Sequence, residues 1–298
     1  PTAEAVAQAG VPEDAAAGVA ALAAAIGADG LEPLADPLTL LRFYNAQTGD
    51  VEAAAAMHRE AVAWRAKYSI PELMAEYGTE GLYNDDGSRK GDSAEWTWRR
   101  CPSSPKAKLA TRHGFFEWLR REGEDGSPVL LWQCGAADYG GYIREEMVEE
   151  MTRAWVAHLE DILQASRAAS LQRGELIRAR LVVDSNGFGV GGLRYVSFFK
   201  DIIALGKAYY PEVTASVTVL RAPWAAAQAY RLVSPLLTPL IRKKICILGN
   251  NFEKGLRKHT GLEKSILPEW LGGEDTDSGL EVVAPMPVGA RDSLGGLQ

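Results

Sequence analysis

Apolar positions repeat at helical spacing early in the chain. One face of a predicted helix beginning after Asp50 carries the apolar residues Ala54, Met57, Ala61 and Trp64. Asp50 is a typical N-cap residue, and Pro71 opens a second, shorter predicted helix. The pattern therefore predicts an all-helical lobe over residues 38–90, preceded by an Ala-rich extension of short helices over residues 1–37.

The pattern changes after residue 125, where short apolar runs alternate with longer helical patterns. The predicted strands cover residues 129–132, 179–184, 215–220 and 244–248, and the predicted helices residues 144–166, 193–208 and 224–240. Buried strands that alternate with helices indicate an α/β fold with a largely parallel sheet. This second lobe covers residues 125–273. A linker over residues 91–124 precedes it, and a Gly- and Pro-punctuated tail over residues 274–298 follows it.

Composition and charge exclude several classes of function. The 298 residues include 32 Lys and Arg against 39 Asp and Glu, a net charge of −7, so the chain lacks the basic field that nonspecific nucleic-acid binding needs. Cys101, Cys134 and Cys246 show no paired spacing, which favours a reducing compartment. The four histidines form no metal-ligand motif. We therefore expect no metal, no cofactor and no nucleic-acid partner.

Two further observations concern membranes and targeting. No apolar run reaches the roughly 18–20 residues that span a bilayer. The Ala-rich start is acidic and carries no Lys or Arg up to Gly30, unlike a signal peptide or an intact transit peptide. We expect a protein that is not secreted and that lies in the cytoplasm or in an organellar stroma or matrix, peripheral to membranes.

Gly187, Gly189 and Gly192 form a G-x-G-x-x-G pattern between a predicted strand and a predicted helix. In dinucleotide-binding folds such glycines let the backbone approach a pyrophosphate. Here the first glycine follows the end of the strand, Asp184, by three residues, and the end of the next strand lacks the expected acidic residue. The pattern therefore favours a flexible connector, and a nucleotide-dependent oxidoreductase is the weaker alternative.

Residues 96–121 interleave aromatic and basic side chains. Amphipathic aromatics beside cations are typical of membrane interfaces and protein contacts. The same pattern also suits a helix and loop that bury Trp and Phe while the basic side chains stay in water. Another alternative follows for the whole chain: a structural or adaptor subunit of a larger membrane-associated assembly, bound through this segment and the two termini.

Several short motifs follow one another between residues 38 and 273. They are Leu40-Leu41-Arg42-Phe43, Asp50-Val51-Glu52-Ala53-Ala54, Asp125-Gly126-Ser127-Pro128-Val129, Tyr210-Pro211-Glu212, Lys244-Ile245-Cys246-Ile247-Leu248-Gly249 and Leu267-Pro268-Glu269-Trp270-Leu271-Gly272-Gly273. Their order and spacing resemble the CRAL-TRIO family of lipid-transfer proteins. The resemblance implies a helical N-terminal lobe, then a mixed, largely parallel sheet as a floor, flanking helices, and a mobile gate helix over residues 223–240 that closes an apolar pocket.

The resemblance also implies a function without catalysis, in which a phospholipid or an isoprenoid-like lipid is bound and is carried, presented or sensed at membranes. The residues expected to line the pocket are Trp132, Leu181, Val183, Phe199, Ile203, Val217, Val219, Leu232, Val233, Leu236 and Ile247. The residues expected on the gate are Pro223, Trp224, Leu237 and Leu240.

The polar head of the ligand is expected at Glu212 and Lys244, which match family positions that help to hold an inositol phosphate. A basic pair of the family falls on Gln47 and Thr48 in this chain, so one charge-assisted phosphate contact is missing. Hydroxyl positions that the family uses for phosphocholine fall on alanine and leucine. These departures favour a more apolar ligand, such as a tocopherol- or carotenoid-like isoprenoid, a sterol or a fatty acid.

Overall fold

The computed structural model describes residues 1–27, 34–77, 104–107, 110, 116–123, 125–144, 146–260 and 262–276. Its α-helices are α1 (Ala3–Gln8), α2 (Glu13–Ile26), α3 (Pro37–Ala46), α4 (Val51–Lys67), α5 (Ile70–Glu76), α6 (Tyr139–Arg144), α7 (Val148–Arg173), α8 (Val196–Tyr209), α9 (Trp224–Val233), α10 (Pro239–Lys244) and α11 (Glu253–Thr260). Its strands are β1 (Phe116–Glu122), β2 (Pro128–Trp132), β3 (Ala179–Asp184), β4 (Thr214–Leu220) and β5 (Ile245–Ile247). Residues 91–103 of the predicted linker and residues 277–298 of the predicted tail lie outside the described residues.

The first lobe is helical throughout its described part, and the Ala-rich extension packs into it. Asp50 caps α4, because its carboxylate accepts a hydrogen bond from the Ala53 N–H at 3.0 Å. Val6 of α1 and Val19 and Leu22 of α2 are fully buried. Helix α2 packs against α3 and α4. The extension therefore contributes to the core of the helical lobe.

The second lobe is built on a five-stranded sheet with the strand order β1-β2-β3-β4-β5. Strands β2 to β5 pair in parallel, and β1 pairs antiparallel with β2 at one edge. Leu181 of β3 lies opposite Leu130 of β2 and Val217 of β4. The prediction of an α/β fold with a mixed, largely parallel sheet is confirmed.

The two faces of the sheet have different environments, because successive side chains of a strand point to opposite sides. On one face, apolar side chains of the strands pack against α11 and the segment after it. This cluster contains Val129, Leu131, Val182, Leu220, Phe252, Leu256, Leu262, Leu267 and Leu271. The other face packs against α7 at β2 and β3, and against α10 at β4 and β5. Apolar side chains thus form a continuous cluster on the first face. On the second face two helices cover the sheet, and a site can lie between them and the strands.

Strand β1 differs from the sequence-based expectation of a linker with helix or loop character. Phe116 pairs with Trp132 and Trp118 with Leu130, with an irregularity before Glu122 pairs with Pro128. Strand β1 pairs with the next strand along the chain across a short turn, but its sequence, FEWLRRE, does not alternate strictly between apolar and polar residues, so the local pattern is a weak guide to it. Residues 116–121 of the aromatic and basic segment therefore belong to the sheet.

The predicted gate helix is broken into pieces. Helix α9 ends at Val233, a 3₁₀ turn covers Ser234–Leu236, and α10 begins at Pro239. Pro235 and Pro239 lack the backbone N–H that a continuous helix needs, and each is placed in the first turn of a new helical piece, where none is needed. We call residues 224–244, with both helices and the turn between them, the gate segment.

Helix α7 is a long helix that packs against β2 and β3 of the second lobe. It runs for 26 residues and buries Met151, Trp155 and Leu159 on the face predicted from the sequence. Charged residues are spread along its sequence, although the helix itself is continuous. In the described part of the chain no helix combines the length and the apolar character needed to cross a membrane.

Candidate functional site

A cavity of about 440 Å³ lies between the open face of the sheet and the helices α7 to α10. Its volume falls within the range of small-molecule sites, roughly 300–1,000 Å³. The end of α3, at Asn45 and Gln47, closes it on the side of the helical lobe. The cavity therefore has walls from both lobes.

The floor of the cavity consists of alternate residues of three neighbouring parallel strands. Val183 of β3 lies opposite Val219 of β4, and Val219 lies opposite Ile247 of β5. Val219 and Ile247 are only half-buried although they sit on a sheet that helices cover. Their partial exposure is exposure to the cavity, so the interior of this lobe is open where a packed core would fill it.

Aromatic side chains form the deep wall of the cavity. The rings of Trp132 and Trp155 are 5.0 Å apart, and those of Trp132 and Phe199 are 6.2 Å apart. Phe188 packs 6.1 Å from Phe199. Aromatic pairs at these distances stabilise one another beyond simple burial, which gives this wall a defined shape.

The glycine-rich loop contributes a side chain to this wall. Phe188, between Gly187 and Gly189, is 6% exposed and lines the cavity. A Cβ atom on Gly192 would lie 2.7 Å from the Phe188 ring, so only glycine permits this packing without a shift. The side chain between the first two glycines of the G-x-G-x-x-G pattern is thus part of the apolar site.

The opposite, polar end of the cavity is formed by Glu212, Thr214 and Lys244. The Lys244 ammonium donates to Glu212 Oε1 at 2.9 Å and to the Thr214 carbonyl at 3.2 Å. The other Glu212 oxygen, Oε2, lies 2.8 Å from Arg178 Nε. Burial raises the pKa of Glu212, but the hydrogen bond and charge of Lys244 and the charge of Arg178 outweigh it and lower the pKa below its ordinary value. The carboxylate is therefore held ionised between two cations.

The backbone of Glu212 is held in an unusual conformation. Its φ is +52°, in the left-handed region that costs a non-glycine residue about 1–3 kcal/mol. Its carbonyl accepts a hydrogen bond at 2.6 Å from Nη1 of Arg42. Arg42 comes from α3 and is 1% exposed, and burial, with the nearby charge of Arg178, lowers its pKa to about 9, which leaves it protonated at neutral pH.

We expect the Glu212 ion pairs to stabilise the fold in a pH-dependent way. Because its folded pKa lies below the ordinary 4.5, the contribution is fully present above about pH 4.5 and is lost as the pH falls through the folded pKa. Urea unfolding of the wild type and Glu212→Gln between neutral pH and about pH 3 measures it. The stability gap should be constant near neutrality and shrink in acid. An equal gap at both ends of the range would contradict the expectation. Other carboxylates with lowered pKa, such as Asp125, cancel in the difference.

The structure brings most of the predicted site residues to the cavity wall. The predicted pocket and head-group residues that line it are Trp132, Leu181, Val183, Phe199, Ile203, Val217, Val219, Val233, Ile247, Glu212 and Lys244. Gln47 lines it as well, whereas Thr48 is exposed and does not.

Leu232 and Leu236 are placed differently from the expectation. They are 54% and 47% exposed and lie on the outer side of the gate segment, and the buried residues Val233 and Leu237 line the cavity instead. Of the other predicted gate residues, Leu240 lines the cavity but is largely exposed, and Trp224 is 67% exposed. Pro223 precedes α9 as its N-cap residue, outside the lining.

Several lining residues were not predicted as site residues. They are Asn45, Met57, Cys134, Trp155, Leu159, Ile162, Phe188, Ile202, Tyr210, Tyr230, Thr238 and Ile241, among others. Trp155, Leu159 and Ile162 share the apolar face of α7, so their helical spacing was a signal. The spacing indicates burial, but it cannot tell a residue beside a cavity from one in a packed core.

Comparisons with known proteins agree with this fold. A family model described as CRAL/TRIO domain matches residues 111–273. The SEC14 cytosolic factor of Kluyveromyces lactis is 24% identical over 249 residues, which cover 83% of this chain and 73% of that protein. A CRAL-TRIO domain-containing protein of Saccharomyces cerevisiae is 26% identical over 242 residues, 80% of this chain and 71% of that one. The crystal structure of Sfh5 is similar in fold, with a TM-score of 0.55 at 13% identity, over 86% of this chain and 82% of that chain.

Proposed function

Because this chain belongs to the CRAL/TRIO domain family, we propose that it is a carrier, not an enzyme, that binds one lipid in the cavity and exchanges it at membrane surfaces. The observation that carries the proposal is the open apolar floor. Val217 and Val219 of the inner strand β4 and Ile247 of the edge strand β5 are only half-buried, and all three line the cavity. A chain of this length has ample means to fill such a space with side chains, so the space is best explained by an occupant.

An apolar cavity solves the physical problem of moving a lipid through water. Each buried CH₂ group is worth about 0.8 kcal/mol, so a free lipid leaves a bilayer slowly. A wall built from the side chains of the sheet and of Trp132, Trp155 and Phe199 offers the hydrocarbon an environment similar to that of the bilayer interior. Exchange between the two is then close to neutral in free energy. The protein then only has to open the cavity at the membrane and close it in water.

The gate segment has the features of a movable cover. Its inner side buries Val233 and Leu237 against the cavity. Its breaks, between Val233 and Pro239, interrupt the helical hydrogen bonds and provide hinge points. We propose that it closes over the lipid in water and swings open at a membrane.

The outer side of the gate segment suits a membrane surface. Trp224, Leu232, Leu236 and Leu240 are between 47% and 67% exposed. The last turn of α10 carries Arg242, Lys243 and Lys244. Exposed apolar side chains next to cations favour the boundary between acyl chains and anionic head groups.

We expect the double variant Leu232→Ser, Leu236→Ser to bind vesicles at least about tenfold more weakly, because two side chains lose apolar area that the membrane would bury. Sedimentation with vesicles of phosphatidylcholine and phosphatidylserine measures the binding. Ile143→Ser is the matched control, since Ile143 is 53% exposed but lies outside the gate segment. Equal losses in the control and the double variant would count against membrane docking through the gate.

Mass spectrometry of the purified protein tests the carrier proposal itself. Under native conditions we expect one hydrophobic molecule per chain, released by organic extraction. Protein that is purified empty should take up one lipid per chain from vesicles. A protein that carries no lipid and takes none from vesicles of mixed phospholipids, sterol and diacylglycerol is not a carrier.

A further inference from the structure

The end of α8 and the segment between α8 and β4 make several contacts with the helical lobe. Trp64 of α4 stacks on Tyr209, with ring centroids 4.4 Å apart. The Tyr210 hydroxyl donates to Glu160 Oε1 at 2.7 Å, and the same carboxylate is paired with Arg65 of α4. Tyr210 and Glu212 of this segment both line the cavity. The wall at the polar end thus depends on a lobe that contributes few lining side chains itself.

Arg42 makes the most extensive of these contacts. Besides the Glu212 carbonyl, its guanidinium donates from Nη2 to the carbonyls of Ile177 at 2.7 Å and Ser166 at 3.2 Å, and to the Ser170 hydroxyl at 3.0 Å. These acceptors come from the end of α7, the segment before β3 and the segment before β4. A planar fork of N–H donors can satisfy such a set, whereas the single ammonium of lysine has a different shape and reach.

The contact with Glu212 has a consequence for the site. A non-glycine residue keeps a left-handed backbone only where its surroundings hold it there. The Arg42 hydrogen bond ends on the carbonyl of this very residue, and its carboxylate is the group that meets Lys244. Release of the carbonyl would let the backbone relax and would move the carboxylate away from the ammonium.

We propose that Arg42 is a positioning residue for the ligand's polar head: from the helical lobe it holds the Glu212 backbone so that the carboxylate and Lys244 stay paired at the end of the cavity. The inference rests on the proposed lipid-carrier function and deepens it. The carboxylate accepts and the ammonium donates hydrogen bonds, so the positioned pair suits a head group that carries hydroxyls. Arg42 itself does not line the cavity.

The experiment compares Arg42→Lys with Arg167→Gln. Arg42→Lys keeps the positive charge but loses the fork. Arg167 of α7 pairs with Asp36, the N-cap residue of α3, at 2.7 Å, so it also joins the two lobes through an arginine. Two fluorescent probes are used: pyrene-labelled phosphatidylinositol, whose head carries hydroxyls, and pyrenyldodecane, which has no head.

For Arg42→Lys we expect about tenfold weaker binding of pyrene-labelled phosphatidylinositol and unchanged binding of pyrenyldodecane, because one charge-assisted contact is lost at the polar end alone. Arg167→Gln should leave both affinities unchanged. A carboxyl ¹³C titration should show the pKa of Glu212 moving up toward its ordinary value in Arg42→Lys only. A purely structural role of Arg42 would not produce this selective pattern.

Three results separate the positioning role of Arg42 from the carrier function. Equal loss for both probes, or the same loss in Arg167→Gln, overturns the positioning role while the carrier function stands. Failure of the wild type to bind either probe overturns the carrier function instead. If Arg42→Lys does not fold, Ser170→Ala removes one acceptor of Arg42 and should shift phosphatidylinositol binding in the same direction by a smaller factor, and no shift there also overturns the proposal.

Discussion

Val219→Trp should abolish lipid uptake and leave the protein folded. Val219 lies in the middle of the cavity floor, with Val183 and Ile247 as its neighbours on the adjacent strands. A tryptophan side chain there would extend into the 440 Å³ space and displace part of any ligand. Displacement of only two CH₂ groups costs about 1.6 kcal/mol, or more than tenfold in affinity. Uptake of a pyrene-labelled lipid from vesicles, together with thermal unfolding, measures both effects.

Thr218→Val is the matched control for this variant. Thr218 is the preceding residue of β4, is fully buried on the opposite face of the sheet, and has no hydrogen-bond partner recorded for its hydroxyl in the described structure. Replacement of an unsatisfied buried hydroxyl by a methyl group of the same shape is nearly neutral or stabilising. Lipid uptake should match that of the wild type. If Val219→Trp also takes up lipid normally, the cavity is not the binding site.

Arg65→Met should cost about 3–5 kcal/mol of unfolding free energy. Arg65 pairs with Glu160, whose side chain is fully buried between the two lobes. Removal of the arginine leaves a buried carboxylate without its cation, and that desolvation penalty exceeds the packing that methionine restores. Chemical denaturation at neutral pH gives the value directly.

A second substitution separates the lost charge from lost packing. In Arg65→Met, Glu160→Gln the buried group is neutral and can still accept the hydrogen bond from Tyr210, so most of the stability should return. Arg173→Met breaks an ion pair in which both side chains are largely exposed, and it should change stability by less than about 1 kcal/mol. A double variant no more stable than Arg65→Met would show that the charge of Glu160 is not the cause.

Local patterns were a good guide to the second lobe. The run over residues 179–184 is β3 with the predicted bounds, and the runs that became β2 and β4 are within one residue of prediction. Strand β2 is buried at every position and its sequence is apolar throughout, and β3 and β4 carry the apolar run 181–183 and the mostly apolar run 217–220, so all three stand out from the flanking turns. The Asp50 cap was equally readable, since a capping hydrogen bond spans only three residues.

The orientation of the gate segment was not readable from its sequence. Leu232, Val233, Leu236 and Leu237 form one broad apolar stripe, and either side of it satisfies the helical period. The structure turns Val233 and Leu237 inward and leaves Leu232 and Leu236 outside. The choice depends on how the gate segment packs against the sheet and α8, which the sequence of the segment does not contain.

The sequence alone therefore determined the class of fold and the position of the buried strands, because each depends on neighbours within a few positions. Most of the residues predicted for the pocket do line the cavity, but many other lining residues were not predicted. The tertiary structure alone decided that the cavity is open and that Arg42 bonds to the Glu212 carbonyl across 170 residues of chain. Such features arise from contacts between distant segments, and no periodicity records them. An apolar residue beside a void and one in a packed core look the same until the opposite wall is in place.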